Sequence, residues 1–237
     1  MNFAIIAAGE GSRLKQEGAT VSKPLTLLNG DVMIERLIRI FMKNRASSIS
    51  IIINEKDDKL KKFLRHLQEN WPINVVIKST TSSMHSFFEL SPFLKSGKFC
   101  LTTVDTIFRE DEFETFINAF KESDEDGYMA VTDYIDDEKP LYVSTDKSLH
   151  ITGFHDSYSP EYRYVSGGIY CLKPKSIEIL KRCVANQMSR MRNFQRQLIA
   201  ENFSLKAYPF SKILDVDHVS DIKKAEEFLN QVSNTTE

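Results

Sequence analysis

Apolar runs and amphipathic stretches alternate along the first half of the chain. Phe3-Ala4-Ile5-Ile6-Ala7-Ala8 is apolar throughout, which predicts a buried strand. Val32, Met33, Ile34, Leu37, Ile38 and Phe41 recur at helical spacing, with Glu35, Arg36, Arg39 and Lys43 between them. Asn29-Gly30-Asp31 is a turn ahead of that helix. Ile49–Ile53 predicts a second strand, and Asp57–Asn70 a charged helix with Leu60, Phe63, Leu64 and Leu67 on one face. Ile73–Ile77 is a third strand. Ser83–Leu94 reads as helix at least to Leu90, and Phe99–Val104 as a fourth strand ending at Asp105. Strands alternating with helices argue for a parallel sheet covered on both faces.

The second half has a different texture. Tyr128–Tyr134, Leu141–Thr145, His150–Phe154 and Tyr164–Leu172 are short β-rich runs separated by turns. They predict added strands, partly antiparallel, that form a lid or acceptor subregion at about 128–172. Helices near Ser176–Gln187 and Ser189–Glu201, a strand at Leu205–Phe210 and a closing helix at Ser220–Val232 follow. The polar residues 233–237 predict a frayed tail after a single domain spanning 1–232.

Composition narrows the class of protein. The 237 residues are 41% hydrophobic and 27% charged, ordinary for a globular domain, and the net charge of −2 gives no broad attraction to nucleic acid or anionic membrane. No apolar run approaches the ~20 residues of a membrane span. The chain opens directly into a strand, without a signal-peptide pattern. Cys100, Cys171 and Cys183 are odd in number and lack metal-ligand spacing, so they read as reduced core thiols of a cytoplasmic protein.

The chemistry gathers after the first strand, in Ala7-Ala8-Gly9-Glu10-Gly11-Ser12-Arg13-Leu14 followed by Ser22-Lys23-Pro24-Leu25. Gly9 and Gly11 let a ligand approach the backbone, and adjacent N–H groups can converge on an anion. Arg13 and Lys23 add fixed positive charge, a combination suited to a triphosphate. Leu14 stands where a dinucleotide-binding fingerprint needs its third glycine, and no Gly-Lys-Ser/Thr follows at Walker A spacing. Asp105 closes the fourth strand at the sheet edge that carries this loop. It suits either a helix N-cap or a Mg²⁺ held between carboxylates and phosphates.

The full string, with Lys-Pro-Leu nine residues on, resembles the signature of the nucleotidyltransferase family that includes sugar-1-phosphate nucleotidylyltransferases. The resemblance implies a Rossmann-like α/β three-layer sandwich with a mostly parallel mixed sheet. It implies a nucleotide site at Ala7, Ala8, Gly9, Glu10, Gly11, Ser12, Arg13 and Lys23, with Ser82 and Ser83 of the hydroxyl-rich 80–86 segment near the nucleoside. It turns Asp105 into a metal ligand. Ile213-Leu214-Asp215-Val216-Asp217-His218 looks like the family's late acidic motif with His218 in place of Thr; Asp215 is the first choice for a second Mg²⁺ ligand and Asp217 the alternative. Asp221 reads as a first-turn residue of the last helix. Ser166, Gly167 and Gly168 resemble the family's acceptor-side strand. The lysine that many relatives place shortly before it is missing from Gly153-Phe154-His155-Asp156-Ser157.

By this resemblance an NTP and a phosphorylated small molecule react to give a nucleotidyl-linked product and pyrophosphate. Arg13, Lys23 and Asp105 carry the chemistry and Mg²⁺ is the cofactor. A sugar 1-phosphate is the first-choice acceptor; phosphocholine or another phosphorylated alcohol or phosphonate, with CTP as donor, is the second. A nucleotide-binding regulatory protein without turnover is the reading of a different class, and the presence of Arg13, Lys23, Asp105 and Asp215 counts against it.

Overall fold

The computed structural model describes residues 1–231. Its elements in chain order are β1 (Asn2–Ala7), α1 (Ser12–Gln16), β2 (Leu27–Leu28), β3 (Asp31–Val32), α2 (Met33–Lys43), β4 (Ser48–Ile53), α3 (Asp58–Gln68), β5 (Ile73–Ile77) and α4 (Ser83–Leu90). Then come β6 (Phe99–Thr103), β7 (Thr106–Ile107), α5 (Glu110–Glu122), β8 (Gly127–Thr132), β9 (Tyr142–Thr145), β10 (Ile151–His155) and β11 (Tyr164–Leu172). The chain continues through α6 (Ser176–Ala185), α7 (Met191–Ala200), β12 (Leu205–Phe210), β13 (Leu214–Asp215) and α8 (Val219–Asn230). The tail expected at 233–237 lies outside the described residues.

Nine strands form one mixed sheet. Its main path runs β10-β9-β11-β6-β1-β4-β5, and β8 pairs with both β11 and β12. The block β6-β1-β4-β5 is parallel, as the strand–helix alternation predicts; β11 runs antiparallel to β6, β8 and β9. Side chains of β1 alternate between two cores. Phe3, Ile5 and Ala7 join one with residues of α2, α3 and α5; Ala4 and Ile6 join the other with residues of α4, α6 and α7. Burial on both faces is why β1 reads as a continuous apolar run rather than an alternating one.

Helix α5 has no counterpart among the expected elements. Its Phe113, Phe116, Ile117 and Phe120 keep helical spacing and are buried, and the acidic Glu110, Asp111 and Glu112 occupy the first turn, where the helix dipole favours them. Helix α7 starts at Met191 rather than 189, because Gln187 and Arg190 adopt φ of 58° and 69° in the turn out of α6. The three cysteines are free and buried; Cys100 and Cys171 face each other across β6 and β11. Among the described residues no helix is long and apolar enough to cross a membrane.

Candidate active site

Parallel strands end at a common edge, so the loops after β1, β4, β5 and β6 meet there. The strand β11 reaches the same edge from the opposite direction: Ile169 pairs with Thr102 and Leu172 with Phe99, which leaves Ser166 and Gly167 beyond the end of β6. The short β13 pairs Asp215 with Thr106 of β7, immediately after Asp105. Val216 N–H donates to the Asp105 carbonyl at 3.1 Å. Residues separated by more than a hundred positions are joined here by sheet register alone.

Gly11 precedes α1 with φ of 59° in the left-handed region, and a Cβ there would lie 3.4 Å from the Lys23 Cβ. The bend that Gly11 permits brings the loop over Lys23. The Lys23 ammonium donates to Asp105 Oδ2 at 2.7 Å and to Asp217 Oδ1 at 2.5 Å, and Arg13 donates to Asp217 Oδ2 at 2.7 Å. Burial would lower the Lys23 pKa, but the charge and hydrogen bond of Asp105, then those of Asp217, raise it overall. Burial would likewise raise Asp217, and the Lys23 and Arg13 contacts bring it below the ordinary carboxylate value.

Asp215 behaves differently. The surrounding protein and then the like charges of Asp105 and Asp217 push its carboxyl up to about 8. Its side chain nevertheless keeps access to solvent, which places it in a cleft rather than in the interior. The like-charge part of that shift is what a bound cation would reverse. Among the described residues no three or more His, Cys, Asp or Glu side chains are arranged as a ready cage for a metal ion. The carboxylates of Asp105, Asp215 and Asp217 therefore do not form one preformed cage; Asp217 is turned to Lys23 and Arg13. A neighbouring pair of carboxylates fits Mg²⁺, which usually takes one or two from protein and completes its shell with substrate phosphates and water.

Two cavities flank this centre. One of about 370 Å³ lies over the ends of β1 and β6 and is lined by Ala7, Ala8, Gly9, Glu10, Gly11, Lys23, Ser82, Ser83 and Asp105. Asn54 lines it too, and sequence reasoning missed this residue. Its Nδ2 donates to the Ala8 carbonyl at 3.2 Å and its Oδ1 accepts from Lys56 N–H and the Ser79 hydroxyl, which ties the loops after β1, β4 and β5 together. A polar residue directly after the Ile49–Ile53 run, at the same strand end as Asp105, was the available signal. Ser82 caps α4, accepting from the His85 N–H at 3.5 Å, and lines the cavity as well, so capping and ligand contact are compatible roles.

The second cavity, about 250 Å³, takes Ser166, Gly167, Asp215 and Asp217 from the expected set, together with Arg13. Ser12 lies in the small cleft between the two, beside Gly11, Arg13, Lys23 and Asp217. Gly168 stands apart from the cavity: at φ of 74° it forms the β-bulge that breaks the register of β11 on β8. A Cβ at Gly167 would come within 2.2 Å of Ile213 Cδ1 and 3.2 Å of the Ala130 carbonyl, so the Ile213 side chain would have to shift to admit one. The buried Gln195 donates to the Ser166 hydroxyl at 3.1 Å and orients it. Asp105 is not a helix cap, since α5 begins only at Glu110. Asp221 lies in the first turn of α8, as expected, and its Oδ2 accepts from the N–H of the N-cap residue His218 at 2.8 Å. His218 pairs with Glu17 at 2.5 Å, linking the start of α8 to the end of α1.

The nucleotidyl transferase family model matches residues 4–232. A 2-aminoethylphosphonate cytidylyltransferase from Lancefieldella rimae is 26% identical over 114 residues; the match covers 46% of this chain and 45% of that protein's length, less than half of the relative. A Bacillus anthracis protein described as a glucose-1-phosphate thymidylyltransferase, crystallised with a sucrose, superposes with a TM-score of 0.85 at 16% identity, covering 100% of this chain and 98% of its own. The inositol-1-phosphate CTP transferase of T. maritima gives 0.78 at 20% identity, covering 96% of this chain and 97% of its own. These structures share the α/β fold expected from the sequence. With the glycine loop, Lys23 and the late acidic strand at one sheet edge, and a family match over nearly the whole length, the chain belongs to the nucleotidyl transferase family.

Proposed function

We propose that this chain transfers a nucleotidyl group from an NTP to a small molecule bearing a phosphate or phosphonate, with release of pyrophosphate. The observation that carries the reading is the pair of cavities on either side of the Lys23–Asp217 ion pair, one lined by the glycine loop, Lys23 and Asp105, the other by Ser166, Asp215 and Asp217. The NTP occupies the first cavity, its phosphates against Gly9 and Gly11 and extending into the adjoining small cleft at Ser12, with Arg13 there toward the β- and γ-phosphates and Lys23 toward the α-phosphate. The acceptor occupies the second. One of its phosphoryl oxygens attacks the α-phosphorus in line; that P–O bond forms as the bond to the bridging oxygen of pyrophosphate breaks. The attacking oxygen is already ionised near neutral pH, so no general base is needed.

Catalysis is then positioning plus charge neutralisation. Lys23 reaches the α-phosphate by releasing Asp105 and Asp217; Asp217 keeps Arg13, and Asp105 becomes free to hold a cation beside Asp215. Asp105 and Asp215 are the residues that would hold Mg²⁺, which when bound offsets charge on the α-phosphate. A sugar 1-phosphate and a phosphorylated alcohol or phosphonate both offer the required oxygen. The partial likeness to the phosphonate cytidylyltransferase supports CTP among the donors and a phosphonate among the acceptors.

A pyrophosphate-release screen tests the reading. Each of CTP, UTP, dTTP and GTP is paired with sugar 1-phosphates, phosphocholine and aminoalkyl phosphonates in Mg²⁺, then with EDTA. Acceptor-dependent release that EDTA abolishes and Mg²⁺ restores is the expected outcome. NTP binding with no release for any pairing would favour the regulatory reading.

A further inference from the structure

His218 stands where the family's late acidic motif carries Thr, and the reaction above gives that histidine no role. The fold supplies it with a partner from the other end of the chain. Glu17 is the C-cap of α1; its Oε1 accepts from His218 Nδ1 at 2.5 Å, and its Oε2 accepts from Val219 N–H at 2.7 Å. A carboxylate only accepts, so the imidazole proton in this contact lies on Nδ1. Both oxygens are thus used on the first residue of α8 and the residue before it, which lie 202 and 201 positions away in the chain. A threonine at 218 is shorter and ends in a hydroxyl; the reach of the imidazole is what makes the first of these two bonds.

The geometry of α1 shows what this contact holds. Glu17 N–H donates to the Arg13 carbonyl at 3.0 Å, so the two residues are one helical turn apart and share a face of α1. That face meets the turn at 217–219. Arg13 donates to Asp217 at 2.7 Å, and Glu17 takes the next two residues. The two links differ in what a nucleotide does to them. Arg13 lies in the small cleft with Gly11, Ser12 and Lys23, and in the reaction above phosphates there draw its guanidinium away from Asp217. Glu17 lines neither cavity nor the cleft, so substrate does not compete for it. When Arg13 lets go, Glu17 still ties α1 to the start of α8.

Resting on the transfer reaction above, we infer that Glu17 is a positioning residue: through its bonds to His218 and Val219 it holds α1 in place while Arg13 moves from Asp217 to the β- and γ-phosphates. The helix has five residues and is too short to keep its own shape and direction unaided. Held one turn beyond Arg13, it confines the guanidinium to the space between Asp217 and the cleft. Order supplied in advance lowers the entropy lost when Arg13 takes the phosphates. Glu17 touches no substrate; it acts through Arg13.

The test is calorimetric titration of the full chain, in Mg²⁺ and well below each variant's Tm, with the α,β-methylene analogues of CTP, UTP, dTTP and GTP and with the matching monophosphates. Glu17→Ala should weaken the triphosphate analogue about tenfold and the monophosphate by less than about twofold, since the β- and γ-phosphates are what Arg13 meets. Glu17→Gln keeps an oxygen for Val219 N–H and an amide N–H for His218, so it should stay within about threefold of the parent. In an Arg13→Ala background, Glu17→Ala should have no further effect, because residues that act as one unit are not additive. His218→Ala breaks one of the two bonds and should give a smaller loss of the same kind; it carries the same comparisons if Glu17→Ala fails to fold. Equal losses for triphosphate and monophosphate, a full loss in Glu17→Gln, a loss of the same size with and without Arg13, or an unchanged triphosphate affinity would overturn the proposal. Pyrophosphate release with the true NTPs is read separately. The expected binding pattern without release for any acceptor refutes nucleotidyl transfer and leaves the role of Glu17 standing, whereas a parent that binds no triphosphate refutes both.

Discussion

Replacing Lys23 with alanine separates the part of this cation that holds the fold from the part that acts on substrate. Its side chain is 12% exposed, and its ammonium contacts Asp105 and Asp217 at 2.7 and 2.5 Å. The substitution leaves Asp105, 19% exposed, without its lysine partner; Asp217, 41% exposed, keeps Arg13 at 2.7 Å. Breaking a fully buried pair from one side costs about 3–5 kcal/mol, and an exposed pair is worth about 0–1 kcal/mol. This half-shielded site lies between them, at about 1–3 kcal/mol, or a fall in Tm of roughly 2–10 °C for a chain of this size. The catalytic effect is larger. Charge builds on the α-phosphate and the departing pyrophosphate in the transition state, so the cation acts chiefly on kcat. Removing one such preorganised contact costs about 10²–10³ in turnover. NTP affinity should fall much less, because the glycine loop and Arg13 remain. The variant should also gain more stability from Mg²⁺ than the parent, since its carboxylates lose their internal cation. Differential scanning fluorimetry with and without Mg²⁺, NTP titration and steady-state pyrophosphate release, all below the variant's Tm, measure these effects. A kcat within a few-fold of the parent refutes the catalytic assignment; an unchanged Tm refutes the ion-pair argument.

Two further outcomes follow from the same geometry. The Asp215 carboxyl titrates near 8 in the folded chain against 3.8 in the unfolded one, so the folded state binds the extra proton between those values. Metal-free stability should therefore decline as pH rises from about 4 to 8, by about 1–2 kcal/mol after allowing for solvent access. Asp215→Asn should flatten that slope and abolish turnover, and Mg²⁺ should restore the parent at pH 8 but not the variant; a parent profile already flat without metal would refute the crowding of Asp215. Gly167→Ala forces a Cβ onto Ile213 and the Ala130 carbonyl, and overpacking of this kind costs about 1–3 kcal/mol. Its Tm should fall by roughly 2–10 °C, and a variant as stable as the parent would show that Ile213 moves aside freely.

The order of elements and the glycine loop were legible in the sequence because both are local. A strand buried on both faces must be apolar throughout, as Phe3–Ala8 is, and a loop that bends sharply needs glycine where φ turns positive, as at Gly11. Helix α5 was legible in principle, since Phe113, Phe116, Ile117 and Phe120 keep the helical period, but the acidic run at its start obscured it. Asp105 could be assigned only to a strand end. That it faces Asp215 and Lys23 rather than capping a helix was decided by the β7–β13 pairing and the bend at Gly11. The division of labour between Asp215 and Asp217 was likewise beyond the motif. Two carboxylates separated by one residue differ because Lys23 and Arg13 reach one, while the other is desolvated by the surrounding protein and crowded by Asp105 and Asp217. The acidic wall of the second cavity was the least visible of all. Asp136, Asp137 and Glu138 look like an ordinary solvated loop in the sequence, and only the fold brings them into the same cavity as Asp215 and Asp217. Electrostatic character depends on which charges share a cavity, and that is settled by strand register and loop path, not by spacing along the chain.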